Sequence, residues 1–528
     1  MLWTDKANKI LQKYWGDIKG LKDKQFETIN ELLLGNDVIG LLPTGYGKSL
    51  CYLIPPLITK KTMFIISPLI SLMEDQIEKL KQVNIQCSAL HSNNLNKEEE
   101  IEQIIKGKIK IVYMSPEYLI NGSGLSLAET LIKSNKMGFM AIDESHCVSG
   151  WGHDFRPEYI KLKIFRELFS DIPILAVTAT ATTQVCQDIS KNLLLNNPVT
   201  VRASFDRPNL YIKIAELPTI PVGKKEKSIP REQAVLPYIK KYPNDKIIIY
   251  TNSRDSTVEL SDALNKINKG CSAAYHAGLT NKVRDSVQTK FSEGEIKIIV
   301  STIAFGMGID QIVRCVIVFG SPSSIEEFYQ QIGRGGRDGL HCDAILYFEY
   351  SKLVIGKYML KDIRFSNPAL YKIKIGKLDQ ISKMVYMNTC RRKFILEYLN
   401  EKCDFFTCDN CDNCKEQKLT DMTNEFWPII MKKNTSILGC SNEIKNKYLV
   451  SVCTIHKKKD KIIELDLMDT LWDWKNHIEE NKIKKEDLPE KLKLKIPTKF
   501  IKVISNEPMK EEIDDKIEKY EKMFKNLL

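Results

Sequence analysis

The sequence predicts an α/β protein: two parallel-sheet domains in tandem, a helical module that ends in a cysteine cluster, and a small α+β C-terminal region. Apolar runs alternate with helical patterns in two series along the chain, a Pro-rich charged stretch separates the series, and three closely spaced cysteines close the helical segment. Alternating strands and helices are typical of parallel sheets covered on both faces. The expected domains span 1–204, 205–350, 351–414 and 415–528.

Each series contains several apolar runs of strand length. Those of the first series cover 63–67, 110–115, 139–143 and 174–180, and those of the second cover 246–253, 297–302 and 315–320. Residues 216–232, between the two series, are rich in Pro and charge and are predicted to form a linker or loop. Ligands bind parallel sheets at the carboxyl ends of the strands, so the polar residues that end these runs are the candidate site.

Composition sets broad limits on function. A chain of 528 residues corresponds to about three or four domains. Its 43% hydrophobic and 27% charged residues are ordinary for a globular protein. The net charge of +11 favours a polyanionic partner only weakly, because the Lys and Asn bias of an AT-rich genome would produce the same excess.

No targeting or membrane segment is evident in the sequence. No run approaches the roughly 20 apolar residues that cross a bilayer, and the N-terminal residues do not resemble a signal peptide. We expect a soluble intracellular protein without a membrane partner, nuclear in a eukaryote and otherwise cytoplasmic or at a replication site. The basic cluster at 457–461 is either a nuclear signal or, more simply, a solvated loop. The 14 cysteines are then free thiols or metal ligands.

A glycine-rich turn follows the apolar strand that ends at Leu42. In PTGYGKS (43–49), Gly45 and Gly47 allow backbone N–H groups to surround phosphate oxygens. Lys48 is placed to reach the β and γ phosphates, and the Ser49 hydroxyl to ligate Mg²⁺. The strict phosphate-loop pattern requires a glycine where Leu42 stands, so a chance glycine-rich turn is the alternative.

Two carboxylates end the strand at 139–142. Asp143 is predicted to hold Mg²⁺, and Glu144 to orient or deprotonate an attacking water. The alternative is an acidic helix cap. In the second series, Arg334 and Arg337 lie among glycines and would stabilise γ-phosphate charge if the two domains closed over a nucleotide. A helix cap does not explain the three motifs in this order.

These motifs resemble superfamily 2 helicases and, within them, the RecQ family. The resemblance covers about residues 15–414 and rests on ten elements in sequence order. They are LKDKQ (21–25), PTGYGKS (43–49), SPLISLMEDQ (67–76), SPE (115–117), DESH (143–146), TATA (178–181), FDRPNL (205–210), YHAGL (275–279), STIAFGMGID (301–310) and QQIGRGGRDG (330–339). The resemblance implies two RecA-like domains and ATP, Mg²⁺ and Zn²⁺ as cofactors.

The resemblance also implies roles for residues that spacing alone does not assign. Lys22 and Gln25 take the positions of an adenine-contacting Arg and Gln, while Ile18 stands where an aromatic would stack on adenine. Thr44 and Tyr46 belong to the phosphate loop. Four further substitutions depart from the family pattern: Ser145 and Gly335 for Ala, Gly150 for Gln, and Gln331 for Glu. None of them removes the predicted catalytic residues Lys48, Asp143, Glu144, Arg334 and Arg337.

An aromatic-rich segment, CVSGWGHDFRPEY (147–159), follows the carboxylates. In the family this loop senses single-stranded DNA and signals to the ATP site. Trp151 and Phe155 are suited to stack on bases, Arg156 to meet a phosphate, and His153 belongs to the same motif. The alternative is that both aromatic side chains are core anchors.

The cysteine cluster is a candidate zinc site. Two-residue gaps allow Cys408, Cys411 and Cys414 to converge on one metal. Cys390 matches the first ligand of the RecQ zinc module, and Cys403 is its competitor for the fourth position. Four protein ligands leave no open position for water, so the zinc is expected to be structural.

The C-terminal region, 415–528, has the length of a winged helix but matches one poorly. Its apolar runs at 448–456 and 461–467 suggest a hairpin, and its acidic residues nearly balance its lysines. A divergent winged helix is therefore one interpretation. The last helix carries an apolar stripe that is more typical of packing than of a partner site.

The main functional hypothesis is a 3′–5′ DNA helicase in repair, recombination or replication that acts on single-stranded and duplex or forked DNA. An RNA helicase of the same superfamily is the first rival, and a non-enzymatic DNA-binding or annealing protein is the second. The sequence names no protein partner.

Overall fold

The computed structural model describes residues 3–92, 94, 96–150, 155–179, 182–222, 225–303, 305 and 311–415, which lie in one compact unit, Met1–Gln417. The predicted hairpin at 448–467, the basic cluster at 457–461 and the winged-helix interpretation lie outside the described residues. Among the helices described, none is long and apolar enough to cross a membrane.

In the described part of the chain, the first sheet has seven parallel strands in the order β3-β4-β2-β5-β6-β1-β7. They are β1 (Val38–Leu41), β2 (Thr62–Ile66), β3 (Cys87–Leu90), β4 (Ile111–Met114), β5 (Met137–Ile142), β6 (Ile174–Thr178) and β7 (Val199–Arg202). Every residue of β1, β2, β4, β5 and β6 is buried. Burial of both faces explains why these strands are continuous apolar runs rather than alternating patterns.

Ten α-helices precede, connect and follow these strands in the described residues, with a short 3-10 helix at Ser145–Val148 after β5. They are α1 (Trp3–Tyr14), α2 (Asp23–Leu33), α3 (Lys48–Thr59), α4 (Ile70–Gln82), α5 (Lys97–Ile105), α6 (Pro116–Ile120), α7 (Ser123–Lys133), α8 (Pro157–Lys161), α9 (Lys163–Leu168) and α10 (Thr183–Asn192). The helix α3 follows β1 directly and packs on the sheet through Cys51, Leu53 and Ile54. The strand β1 thus delivers the phosphate loop to the start of α3.

One buried carboxylate fixes the amino ends of the strands on both sides of β1. Asp37 accepts two hydrogen bonds from the Arg166 guanidinium, at 2.6 and 2.7 Å. It also accepts from the backbone N–H groups of Ile174 and Asn196, at 2.8 and 2.7 Å. Buried charges are stable when they are paired and fully hydrogen-bonded, so Asp37 sets the position of β1 relative to β6 and β7.

The second sheet also consists of parallel strands, in the order β12-β13-β11-β14-β15-β8. The strands of this half are β8 (Leu210–Ala215), β9 (Thr219–Val222), β10 (Lys225–Ser228), β11 (Lys246–Tyr250), β12 (Ser272–Tyr275), β13 (Ile298–Ser301), β14 (Val313–Gly320) and β15 (Cys342–Phe348). Its helices are α11 (Arg231–Lys241), α12 (Arg254–Ile267), α13 (Asn281–Glu293) and α14 (Ile325–Ile332). The apolar runs predicted as strands in both series are confirmed.

The prediction of a linker or loop at 216–232 is wrong. Its strands β9 and β10 pair antiparallel as a two-stranded ribbon, and α11 begins at Arg231. The prolines that suggested a loop are compatible with this structure. Pro221 lies in a ribbon outside the main sheets, where a strand tolerates a missing N–H donor, and Pro230 is the N-cap of α11.

The predicted helical module follows β15. It consists of α15 (Tyr350–Met359), α16 (Lys361–Ser366), α17 (Pro368–Tyr386), α18 (Arg391–Tyr398) and α19 (Asp412–Lys415). Residues 408–414, the cysteine loop, cover the edge strand β8, where Ile212 pairs with Cys411 and the Ile214 N–H donates to Asp412 Oδ2 at 3.0 Å. Arg392 donates to the Leu210 carbonyl at 2.8 Å. The module therefore closes the edge of the second sheet.

Candidate active site and metal centre

The phosphate loop lies at the carboxyl end of β1. Gly45 and Gly47 have φ values of 78° and 89°, in the left-handed region that glycine adopts readily. A Cβ atom on Gly47 would lie 2.5 Å from Gln25 Nε2, so this position also lacks space for a side chain. Lys48 is the first residue of α3. Backbone N–H groups and a helix N-terminus together form the environment that phosphate groups require.

Lys22 and Gln25, the predicted adenine contacts, lie beside this loop. Gln25 is buried, and its Nε2 donates to the carbonyls of Tyr46 and Gly47, both at 3.0 Å. The ammonium group of Lys22 lies 4.7 Å from the centre of the Tyr46 ring. Burial, with the nearby charge of Arg207, lowers the pKa of Lys22. Both side chains therefore support the phosphate loop directly.

Asp143 follows β5 and faces the start of α3. The Tyr52 hydroxyl lies 3.1 Å from Ser49 Oγ and 3.4 Å from Asp143 Oδ2, and so joins the two predicted Mg²⁺ ligands. The Tyr159 hydroxyl donates to the Asp143 carbonyl at 3.2 Å. Burial and the neighbouring Glu144 raise the pKa of Asp143 to about 7. A divalent cation at this position would favour the ionised carboxylate.

Glu144 has a φ of 47°, an unusual conformation for a residue with a side chain. Its Oε2 lies 3.3 Å from His146 Nδ1, which in turn lies 2.8 Å from Thr178 Oγ1. Thr178 ends β6, the neighbour of β5. The carboxylate is thus connected through His146 to the TATA motif, and backbone strain of this kind often marks a functional position.

The two arginines of the second sheet lie on the turn that follows α14. The side-chain carbons of Arg337 pack against Gly45, where an added Cβ would lie 3.3 Å from Arg337 Cγ. A Cβ on Gly333 would lie 3.4 Å from Thr44 Cβ. Burial and the nearby charge of Arg337 lower the pKa of Arg334 to about 10, so Arg334 remains charged at neutral pH. The structure therefore brings the arginine turn against the phosphate loop.

Phe155 and Arg156 lie in the second half of the aromatic-rich segment, whereas Trp151 and His153 lie outside the described residues. Phe155 is 42% exposed, which contradicts a core-anchor role for this side chain. Arg156 Nη1 donates to the Pro68 carbonyl at 2.6 Å, and its N–H donates to the Cys147 carbonyl at 2.9 Å. The end of the segment is therefore fixed close to the two carboxylates.

Four cysteines come together at the end of the helical module. The sulfur atoms of Cys390, Cys408, Cys411 and Cys414 all lie within 4.8 Å of one another. Cys390 is the N-cap of α18, as the family pattern implies. Among the described residues, its competitor Cys403 is not part of this group. Four converging thiolates are the donor set that a structural zinc requires.

Sequence reasoning missed two residues of this site. Tyr52 bridges Ser49 and Asp143, and its spacing three residues after Ser49 on a helix was the available signal. Arg207 contacts both the phosphate loop and the arginine turn. Its place in FDRPNL marks a family motif but does not indicate what the side chain touches.

Comparison with known proteins agrees with this geometry. The DEAD/DEAH box helicase model matches residues 22–189, the helicase conserved C-terminal domain matches 230–339, and RecQ zinc-binding matches 354–415. The ATP-dependent DNA helicase RecQ of Bacillus subtilis (strain 168) is 31% identical over 474 residues, which cover 88% of this chain and 75% of that protein. The chain belongs to the RecQ helicase family.

Other relatives are longer than the region that this chain matches. A protein of Acanthamoeba polyphaga mimivirus, provisionally named an ATP-dependent RNA helicase, is 40% identical over 77% of this chain and 72% of its own length. The ATP-dependent DNA helicase RecQ of Haemophilus influenzae is 38% identical over 77% of this chain, which spans 63% of that protein. The DEAD-box helicase Mss116 bound to ssRNA shares the fold, with a TM-score of 0.52 and 20% identity over 76% of this chain and 90% of that chain.

As a RecQ-family enzyme, the chain uses ATP, Mg²⁺ and Zn²⁺, and the residues present fit all three. At Gly45 and Gly47 the positive φ values and the nearby Arg337 and Gln25 side chains disfavour a Cβ atom, and such a glycine-rich turn leaves backbone N–H groups for phosphates. Ser49 and Asp143 offer the oxygen ligands that Mg²⁺ prefers. The four cysteines supply a closed set of zinc ligands.

Proposed function

We propose that this chain is an ATP-dependent DNA helicase that moves 3′ to 5′ along a single strand and unwinds duplex and forked DNA. One contact supports the proposal above all: Arg337 of the second sheet packs on Gly45 of the phosphate loop. Residues from both sheets therefore face one nucleotide site. ATP hydrolysis at this site is coupled to movement of the two sheet domains toward and away from each other, and this movement drives the enzyme along a strand.

The first domain, 1–204, supplies the hydrolytic residues in this proposal. ATP supplies the γ-phosphoryl group that water attacks. Lys48 binds the β and γ phosphates, Ser49 and Asp143 hold Mg²⁺, and Glu144 orients the water and accepts its proton. Tyr52 keeps Ser49 and Asp143 together through its hydroxyl group.

The second domain, 205–350, supplies Arg334 and Arg337, which stabilise negative charge as the phosphoryl group is transferred. The module at 351–414 holds zinc through Cys390, Cys408, Cys411 and Cys414. Its supporting observation is the convergence of the four sulfur atoms. Since all four ligands come from the protein, the metal stabilises structure rather than catalysing a reaction.

Strand recognition is assigned to the aromatic-rich segment. Trp151 and Phe155 stack on bases, Arg156 meets a phosphate, and His153 lies in the same motif. Lys22 and Gln25 contact the adenine and support the phosphate loop beneath it. Phe155 is exposed and therefore available for stacking.

RNA is the second candidate substrate, because the mimivirus relative bears the name of an RNA helicase. Matched substrates separate the two candidates. Unwinding is measured on 3′-tailed, 5′-tailed, forked and four-way DNA and on RNA duplexes of the same sequence. We expect strand separation of 3′-tailed and forked DNA with ATP and Mg²⁺. Unwinding of the RNA alone would favour the second candidate.

The catalytic assignment is tested with Lys48→Ala and Glu144→Gln. Both substitutions are expected to abolish ATP hydrolysis and to leave single-strand binding largely intact, because they alter the phosphate and water positions only. Glu102→Gln is the matched control, since this exposed glutamate forms a surface ion pair with Lys106 at the end of α5. Undiminished hydrolysis in purified Glu144→Gln protein would contradict the role of Glu144. DNA binding by a wild-type chain that hydrolyses no ATP would favour a non-enzymatic binding protein.

A further inference from the structure

The segment FDRPNL (205–210) connects the last strand of the first sheet to the first strand of the second. Arg207, in its centre, is not among the residues assigned so far to nucleotide, metal or strand. Its Nη2 donates to the carbonyls of Gly335 and Gly336, both at 2.8 Å. These two carbonyls stand between Arg334 and Arg337. The guanidinium group of Arg207 therefore holds the backbone that carries both proposed catalytic arginines.

Asn209 reinforces the same turn from one side. Its Nδ2 donates to the carbonyls of Gly336 and Leu340, both at 2.8 Å, and its Oδ1 lies 3.4 Å from Arg207 Nε. Gly336 has a φ of 55°, and a Cβ there would lie 2.3 Å from Asn209 Nδ2. The turn is thus built closely around the two side chains of FDRPNL.

Arg207 also reaches the first sheet. Its Nη1 donates to the carbonyl of Thr44 in the phosphate loop, at 3.4 Å. Burial lowers the pKa of the Arg207 guanidinium, and the nearby Arg337 charge acts in the same direction. The partly buried guanidinium group has carbonyl partners on both sides, in the phosphate loop and in the arginine turn, and these satisfy its donors.

The segment FDRPNL is itself held in place by hydrogen bonds from two other elements. The Glu401 carboxylate of the zinc module accepts from the Phe205 N–H at 2.6 Å. The Tyr329 hydroxyl on α14 donates to the Phe205 carbonyl at 2.7 Å. Because Arg207 follows Phe205 by two residues, these contacts with the zinc module and α14 also fix the position of Arg207.

We propose that Arg207 is a positioning residue for ATP hydrolysis, which joins the arginine turn to the phosphate loop when the two sheets meet. This inference rests on the proposed function. The planar guanidinium group binds two adjacent carbonyls on one side while its other nitrogen reaches Thr44. A lysine cannot reproduce this geometry, because an ammonium group is a single point donor on a flexible chain. Arg207 acts through Arg334 and Arg337 rather than on the phosphate.

The test is steady-state ATPase kinetics of the full chain with saturating single-stranded DNA. For Arg207→Lys we expect kcat to fall by about 10-fold to 100-fold while KM for ATP changes little, since misplacement of about 1 Å in a catalytic group costs on the order of 100-fold. Asn209→Ala is expected to lower kcat less, because Asn209 holds the turn without touching the phosphate loop. Arg284→Lys is the matched control, since the partly buried Arg284 donates to Asn281 Oδ1 at 2.6 Å within α13.

A double-mutant cycle separates positioning from a general loss of structure. If Arg207 acts through Arg337, then Arg207→Lys should reduce kcat far less in an Arg337→Ala background than in the wild type. Multiplicative losses in the double variant would overturn the proposal. A raised KM with unchanged kcat would also overturn it and make Arg207 a ground-state nucleotide contact.

The two proposals fail in different ways. Absence of ATPase in the wild type would overturn the proposed function and the role of Arg207 together. Normal ATPase in the wild type and in both Arg207→Lys and Asn209→Ala would overturn the role of Arg207 alone. Should Arg207→Lys fold poorly, as judged by thermal melting, Asn209→Ala in the same cycle with Arg337→Ala decides the question.

Discussion

At the scale of single residues, Gly335 and Cys342 form a matched pair beneath the arginine turn. A Cβ on Gly335 would lie 2.2 Å from Cys342 Sγ and 3.3 Å from Val316 Cγ2. Cys342 is fully buried and packs against the arginine turn. The thiol thus occupies the space that the usual alanine of this motif would need.

This pairing predicts that Gly335→Ala is destabilising alone but much less so when Cys342 is also replaced by alanine. Gly335→Ala should destabilise the protein by about 1–3 kcal/mol, the usual range for overpacking, and should lower ATPase because it displaces the turn. Addition of Cys342→Ala should restore most of the loss, since the distance from the new Cβ to the Cys342 Cβ is 3.4 Å. Urea denaturation of the single and double variants measures this. Equal destabilisation in the presence and absence of Cys342→Ala would show that the two residues do not compete for space.

The same scale shows what the sequence could predict about the site. Gly45 and Gly47 could be identified because the phosphate loop needs residues that adopt positive φ values. Asp143 could be identified because a carboxylate directly after a buried strand is a typical metal ligand in this kind of site. Tyr52 and Arg207 were not identified, since Asp143, which Tyr52 joins to Ser49, and Gly335, which Arg207 contacts, lie far away in sequence. Arg207 is 128 residues from Gly335, and such a distance carries no local signal.

At the scale of secondary structure, the predicted strands were those with long apolar runs. The strands β3 (CSAL) and β12 (SAAY) were not predicted, because small and polar residues have weak strand preference. Both strands lie at sheet edges, where neighbouring strands supply the pairing. The ribbon of β9 and β10 was missed because proline and lysine are typical of loops as well as of exposed strand edges.

The cysteine loop is the element for which metal removal has the clearest consequence. It pairs with the edge of β8, and Arg391 joins it to α17 and α18 through Asp412 at 3.1 Å and through Asn413 at 3.1 Å. Purified protein should contain one zinc per chain. Cys411→Ser should lower solubility and stability before it alters catalysis, because ligand loss releases both the loop and the edge strand.

Elemental analysis and thermal melting measure this prediction. Each kcal/mol lost lowers Tm by about 2–4 °C in a domain of 150–250 residues, so a loss of several kcal/mol is readily detected. Cys403→Ser is the matched control, since Cys403 is not part of the cluster among the described residues. Freshly prepared protein that contains no zinc, or equal effects of the two substitutions, would contradict the assignment.

At the scale of the whole molecule, one segment connects the proposed strand site to the carboxylates. The aromatic-rich segment follows Glu144 closely in sequence. The Arg156 N–H donates to the carbonyl of Cys147, the first residue of the segment, at 2.9 Å. Tyr159, three residues later, donates to the Asp143 carbonyl at 3.2 Å. A shift of Phe155 would therefore be transmitted to Asp143 and Glu144 over a short path.

This connection predicts that Phe155→Ala separates basal from stimulated hydrolysis. Stacking is worth roughly 1–3 kcal/mol per base, which shifts a two-state loop by about one to two orders of magnitude. Phe155→Ala should keep a low basal ATPase and lose most stimulation by single-stranded DNA, and with it unwinding, whereas Lys48→Ala should lose both rates. The measurement is ATPase rate against strand concentration, with binding determined separately by fluorescence anisotropy. Phe26→Ala is the control, since Phe26 is 41% exposed, like Phe155, and stacks on Trp3. Normal stimulation of bound Phe155→Ala protein would mean that this side chain does not couple the strand to hydrolysis.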